Sequence, residues 1–164
     1  MSKEAVLEAI PHRDPFLWVD EIVEQSEDAI LTRKHIAPDL DVFRGHYPGQ
    51  PILPGVLVCE AIFQTGAILL SAKGKEAVAE GKVPVMTRIK DTRFKRMVRP
   101  GDTIEISVEI EDSMPTLFHL KGKAKVDGKL AVACSFACAA TDASRAARSL
   151  PIAATAAAAA ASAA

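Results

Sequence analysis

Gly45-His46-Tyr47-Pro48-Gly49-Gln50-Pro51-Ile52-Leu53-Pro54-Gly55 runs directly into an apolar stretch, Val56 to Leu70, and these two pieces decide the fold. Three of the chain's nine glycines and three of its ten prolines fall in the first piece. Proline fixes φ and glycine opens positive φ, so this is a loop whose path is set residue by residue. The second piece predicts one long helix over Gly55 to Ser71, with only Glu60, Gln64 and Thr65 strongly polar beside the small Gly66. A helix apolar nearly all round is expected in the interior.

Outward from this helix the chain reads mostly as strands. Ahead of it, Ser2 to Ile10 predicts a short helix with Ser2 as N-cap and Pro11 as terminator. Phe16 to Val23 and Ile30 to Ile36 predict a hairpin across the polar break Glu24-Gln25-Ser26-Glu27-Asp28, and Pro38 to Pro54 predicts loop. After it, Lys73 to Lys82 is polar and expected to leave the core, and Val83 to Val98 is a long, charge-rich extended segment. Ile104, Ile106, Val108 and Ile110 alternate with polar residues in the cleanest period-2 pattern of the chain. Met114-Pro115-Thr116 turns the chain into Leu117 to Val126. Asp127-Gly128 predicts a type I′ hairpin into Leu130 to Ala139. Some six strands joined by hairpins around one buried helix predict an α+β fold with an antiparallel sheet.

The chain has 164 residues, 49% apolar and 25% charged, with a net charge of −1. One domain over residues 1–140 is expected, followed by an Ala-rich tail, 141–164, to which no function is assigned. The charge balance argues neither for nucleic-acid nor for membrane binding, no run is long enough for a membrane span, and the charged start predicts a cytoplasmic protein. The cysteines number three, and Cys134 and Cys138 would lie about 13 Å apart along a strand. That is too far for a disulfide, so all three are expected to be buried and reduced.

Two residues carry the chemistry. A carboxylate in an apolar helix is costly unless paired, protonated or used, and desolvation favours its acid form. Glu60 therefore needs a partner, either Gln64 one turn later or an arginine from Arg88 to Arg99. His46 has the common alternative of simply bonding to loop backbone. Yet it stands beside a helix start whose free N–H groups suit a developing oxyanion. Histidine, carboxylate and oxyanion donors together are the parts needed to remove a proton next to a carbonyl. His12, His35 and His119 show no metal-ligand spacing and are expected to be structural, with His12 a turn residue.

The segment Gly45 to Gly49, then Pro51 to Leu57, Glu60-Ala61 and Gln64, resembles the signature of FabZ-type β-hydroxyacyl-acyl carrier protein dehydratases. Ile10 to Leu17 with Val19-Asp20, and Arg93 to Arg96 with Val98 to Asp102, are similar to that family too, so the likeness covers about residues 8 to 140. It implies a hot-dog fold, a six-stranded antiparallel sheet wrapped around the long helix, paired into homodimers and often into trimers of dimers. It implies that His46 abstracts the C2 proton of a 3-hydroxyacyl thioester and that Glu60 of the partner subunit serves the departing hydroxyl. Gly55 would polarise the thioester carbonyl and Gln64 would hold Glu60. No metal and no organic cofactor is implied. Glu60 fits the dehydratase-only branch, whereas the related dehydratase-isomerases carry aspartate there; Tyr47 and Trp18 replace a usual phenylalanine and a usual aliphatic residue. Lys90, Arg93, Lys95 and Arg96 form a basic segment that is either a solvated strand face or a docking patch for acidic acyl carrier protein. The competing readings are a hot-dog acyl thioesterase and a non-catalytic acyl-binding module.

Overall fold

The computed structural model describes residues 1–73, 82–114 and 117–142. Its elements are α1 (Lys3–Ala9), β1 (Glu21–Gln25), β2 (Ala29–His35), α2 (Val42–Gly45), α3 (Gly55–Lys73), β3 (Lys82–Phe94), β4 (Thr103–Met114), β5 (Leu117–Val126) and β6 (Lys129–Asp142). The six strands make one sheet in the order β1-β2-β4-β5-β6-β3, antiparallel at every pairing. α3 packs against β2, β3, β4, β5 and β6, so the predicted layer of strands over one central helix is what forms.

Alternation explains how the helix is received. On β4 the residues Ile104, Ile106 and Val108 are buried, and on β5 so are Leu120, Gly122, Ala124 and Val126. Register then aligns Ile30, Val108, Gly122 and Cys134 in one row across four strands. Gly122 is the gap in that row. A Cβ there would stand 2.1 Å from a methyl of Ile62 on α3, so the missing side chain admits the helix. Thr32 and Thr65 meet hydroxyl to hydroxyl at 2.8 Å, and Thr65 Oγ1 donates back to Ala61 O, which satisfies both buried polar groups. Asp127 and Gly128 both have positive φ, 50° and 72°, as a type I′ turn requires.

Several boundaries differ from those predicted. The first strand starts at Glu21, because the backbone at Phe16 and Trp18 is engaged by the Gln64 side chain instead of a neighbouring strand. Ser2 occupies the N-cap position of α1 but its hydroxyl makes no capping bond. The loop before α3 contains α2, a single turn that short-range polarity had concealed and that the burial of Phe43 anchors. The last strand of the first predicted extended segment ends at Phe94, after which Lys95 and Arg96 donate to Ala131 O and Val98 O receives Leu53 N–H. β6 runs on to Asp142. The segment 74–81, the turn at 115–116 and the tail from 143 lie outside the described residues.

α3 is less enclosed than its composition suggests. Val56 is 70% exposed, and Glu60, Phe63, Ala67 and Ser71 are half-buried, a stripe at helical spacing down one side. At the sheet edge β3 likewise leaves Val85, Met86 and Ile89 exposed.

Candidate active site

His46 is positioned by backbone alone. α2 ends at Gly45, and the His46 N–H closes that turn onto Val42 O at 2.9 Å. Its ring Nδ1 lies 2.8 Å from Ile52 O. A carbonyl oxygen only accepts, so Nδ1 carries the proton and Nε2 presents a bare lone pair. The ring edge of Tyr47 packs on the imidazole at a centroid distance of 4.6 Å and 78°. Tyr47 itself has φ 57°, a left-handed conformation that a side chain rarely adopts. The bland alternative for His46, a bond to loop backbone, is thus real, and it is the bond that sets the tautomer.

Six residues after Gly49 the chain enters α3, and Pro54 O takes the Leu57 and Val58 N–H groups at 2.9 and 3.4 Å. The Gly55 and Val56 N–H groups make no backbone bond among the described residues, as the first turn of a helix dictates. Gly55 lies against the Phe94 ring, where a Cβ would come within 2.6 Å. A cavity of about 520 Å³ opens here, lined by Gly55, Val58, Phe94, Lys95, Arg96 and Val132 among others. A second, of about 600 Å³, runs past Tyr47, Gln50 and Arg99, and the two share Ile52 and Met97. The residue whose carbonyl holds His46 therefore sits where the two cavities meet.

Glu60 belongs to a different face. Five residues past Gly55 is about 140° around the helix, and Glu60 lines neither cavity. Its Oε1 accepts from Gln64 Nε2 at 2.9 Å. Gln64 is buried; its Oε1 receives the Trp18 N–H at 2.8 Å and its Nε2 also donates to Phe16 O at 2.9 Å. The same Glu60 oxygen lies 3.9 Å from His12 Nε2. The arginine partner considered from the sequence is not what the carboxylate meets, and with its side chain 22% exposed Glu60 is not sealed in the core. Within one chain, His46 bonds to Ile52 and Glu60 to Gln64, so the two are held separately.

Sequence reasoning left His12 as a structural turn residue and did not tie it to Glu60. The signal was its place in Pro11-His12-Arg13-Asp14-Pro15, one of the stretches resembling the family, but nothing local tied it to residue 60. Lys90, Arg93, Lys95 and Arg96 are all exposed, and the last two border the opening at Gly55. All three cysteines are free and buried, as expected. Burial raises the thiol of Cys138 to about 11, and the hydrogen bond with Cys59, with burial behind it, pushes that of Cys134 up. Among the described residues no cluster of three His, Cys, Asp or Glu could hold a metal ion, and no helix is long and apolar enough to cross a membrane.

Comparison with known proteins adds three findings. The FabA-like domain family matches residues 10–135. The 3-hydroxyacyl-[acyl-carrier-protein] dehydratase FabZ of Caulobacter sp. (strain K31) is 41% identical over 80% of this chain and 81% of its own. The protein of the same name from Clostridium perfringens (strain SM101 / Type A) is 40% identical over 80% and 92%. Among solved structures, a chain of the dehydratase heterocomplex ApeI:P from Xenorhabdus doucetiae superposes with a TM-score of 0.73 over 87% of this chain and 95% of that one, at 15% identity. A thioesterase from Haemophilus influenzae reaches 0.56 over 74% and 78%, at 18% identity. These two likenesses are of fold, the hot-dog α+β arrangement described above.

Proposed function

The chain belongs to the FabA-like family, among its FabZ-type 3-hydroxyacyl-[acyl-carrier-protein] dehydratases, and from that premise we propose how its residues divide the reaction. The enzyme removes water from 3-hydroxyacyl thioesters in fatty acid biosynthesis, leaving trans-2-enoyl thioesters. The thioesterase resemblance is one of fold only, and the dehydratase relatives displace it.

His46 Nε2 takes the C2 proton. The observation that carries this is the Nδ1 bond to Ile52 O, which leaves Nε2 as the basic atom. As the C2–H bond breaks, charge develops on the thioester oxygen, and the free Gly55 N–H with the helix start behind it receives that charge. The electron pair of the former C2–H bond then forms the C2–C3 double bond as the C3–O pair departs with the hydroxyl oxygen. Glu60, oriented by Gln64, gives the departing hydroxyl a proton, and water leaves. The enzyme is left with a protonated His46 and an ionised Glu60, which exchange protons with solvent before the next turnover.

The Glu60 in question is the partner subunit's, in a homodimer that the notable apolar exposure of β3 and of the α3 stripe supports. Three such dimers would build the hexamer. We further assign residues 1–140 to a single catalytic domain, Lys90, Arg93, Lys95 and Arg96 to docking of the acidic carrier protein, and the reaction to the cytoplasm, with the carrier-bound substrate.

The test follows absorbance of the conjugated enoyl product from 3-hydroxybutyryl thioester. His46→Ala and Glu60→Gln should each lower kcat by at least about 10²-fold. Mixed subunits of the two variants form heterodimers in about half of cases, each with one intact site of two, so about a quarter of wild-type activity should return. Wild-type turnover in either variant sinks the assignment, and no recovery on mixing sinks the shared site.

A further inference from the structure

We propose that His12 is a positioning residue for Glu60: it directs a second N–H at the oxygen already held by Gln64 and so leaves the other oxygen to carry the working proton. The inference rests on the reading that Glu60 acts on the leaving hydroxyl.

Geometry supplies the first step. Gln64 Nε2 and His12 Nε2 converge on the same atom, Glu60 Oε1, at 2.9 and 3.9 Å. The second step is the state of the imidazole. His12 Nδ1 is occluded from solvent and has no hydrogen-bond partner. A proton placed on Nδ1 would be a buried, unsatisfied donor, which is more costly than a bare acceptor in a dry place. The ring therefore carries its proton on Nε2, the nitrogen that faces the carboxylate. A separation of 3.9 Å is long for a hydrogen bond, and bonds of this kind tighten once a site is filled.

The segment bearing His12 is held for the task. Arg13 reaches back to the carbonyls of Leu7 and Ile10 at 3.1 and 2.8 Å, tying the connector to the end of α1, and also bonds His12 O at 2.7 Å. Arg13 thus spends its donors on backbone. Gln64, the other group bonded to Glu60, is neutral, and its remaining bonds go to the backbone of Phe16 and Trp18. Among the described residues His12 is the titratable side chain in ion-pair range of Glu60, and in the dimer the partner's His46 would face it across the substrate.

Two donors on Oε1 concentrate negative charge there, so the proton of the acid form resides on Oε2, the oxygen left free for substrate. Without the His12 donor the carboxyl no longer distinguishes its two oxygens, and the working proton is not held on the one that faces substrate. His12→Leu should lower kcat on 3-hydroxybutyryl thioester several-fold at pH 7 with little change in KM. His12→Gln, whose Nε2 can take the place of the imidazole Nε2, should return kcat toward wild type, a rescue that a merely structural role would not give. An unchanged kcat in His12→Leu overturns the proposal, and so does a loss that glutamine fails to reverse. In a Glu60→Gln background His12→Leu should cost little more, and an equally large further loss there overturns the proposal. If Glu60→Gln alone keeps full turnover, the role of Glu60 in the reaction fails instead.

Discussion

The amide of Gln64 is oriented by three groups at once. The Trp18 N–H demands an acceptor on one side, and Phe16 O with the Glu60 carboxylate demands a donor on the other. Only the observed amide orientation satisfies all three, so the Glu60 carboxylate inherits its direction from the backbone of a connector 46 residues away in sequence. Gln64→Leu would strand the Trp18 N–H and Phe16 O, and an unfolding cost of about 2–6 kcal/mol is expected from urea titration, at about 1–3 kcal/mol for each of the two buried groups left unsatisfied. A cost near zero would show that the triad of bonds does not order this segment. The cysteines make a second prediction at this scale. The Cys138 thiol titrates near 11 in the fold against about 8.5 unfolded, because burial penalises the thiolate. A raised folded value means that its contribution is whole below pH 8.5 and is lost as pH rises toward 11. Urea midpoints should therefore fall across that window, and Cys138→Ala should flatten part of the fall.

Helix and sheet meet through a missing side chain. Gly122 stands in the Ile30-Val108-Gly122-Cys134 row, and Ile62 of α3 fills the space above it. Because a Cβ would collide at 2.1 Å, Gly122→Ala should destabilise by about 1–3 kcal/mol, the usual cost of overpacking. Shortening the opposing residue tests the cause. The added cost of Gly122→Ala should be much smaller in an Ile62→Ala background, measured as a double-mutant cycle of unfolding free energies. Additive costs would mean that the strain arises elsewhere. Since α3 carries both Gly55 at its start and Glu60 five residues on, a shift in its seat would displace the two together.

Across the whole molecule, net charge is only −1, but its distribution is uneven. Lys95 and Arg96 border the opening beside Gly55, and Lys90 and Arg93 are exposed on β3, which leads into them. Attraction between this patch and an acidic carrier would speed encounter without touching chemistry. Reversing Lys95 and Arg96 to glutamate should raise KM for carrier-bound substrate several-fold, most at low salt, and leave short thioester mimics unaffected. Equal effects on both substrates would remove the docking role. Sequence by itself determined the antiparallel α+β class, the long helix from Gly55 to Ser71, the hairpin at Asp127-Gly128 and the candidates His46, Glu60, Gly55 and Gln64. Those features are local, since period, turn chemistry and a polar residue in an apolar run are visible within a few positions. The strand order, the late start of β1, the Gly122 notch, the tautomer of His46 and the convergence of His12 and Gln64 on one oxygen were decided only by tertiary structure. Each depends on groups far apart along the chain competing for the same donor, acceptor or space, and that competition has no outcome until the chain has folded.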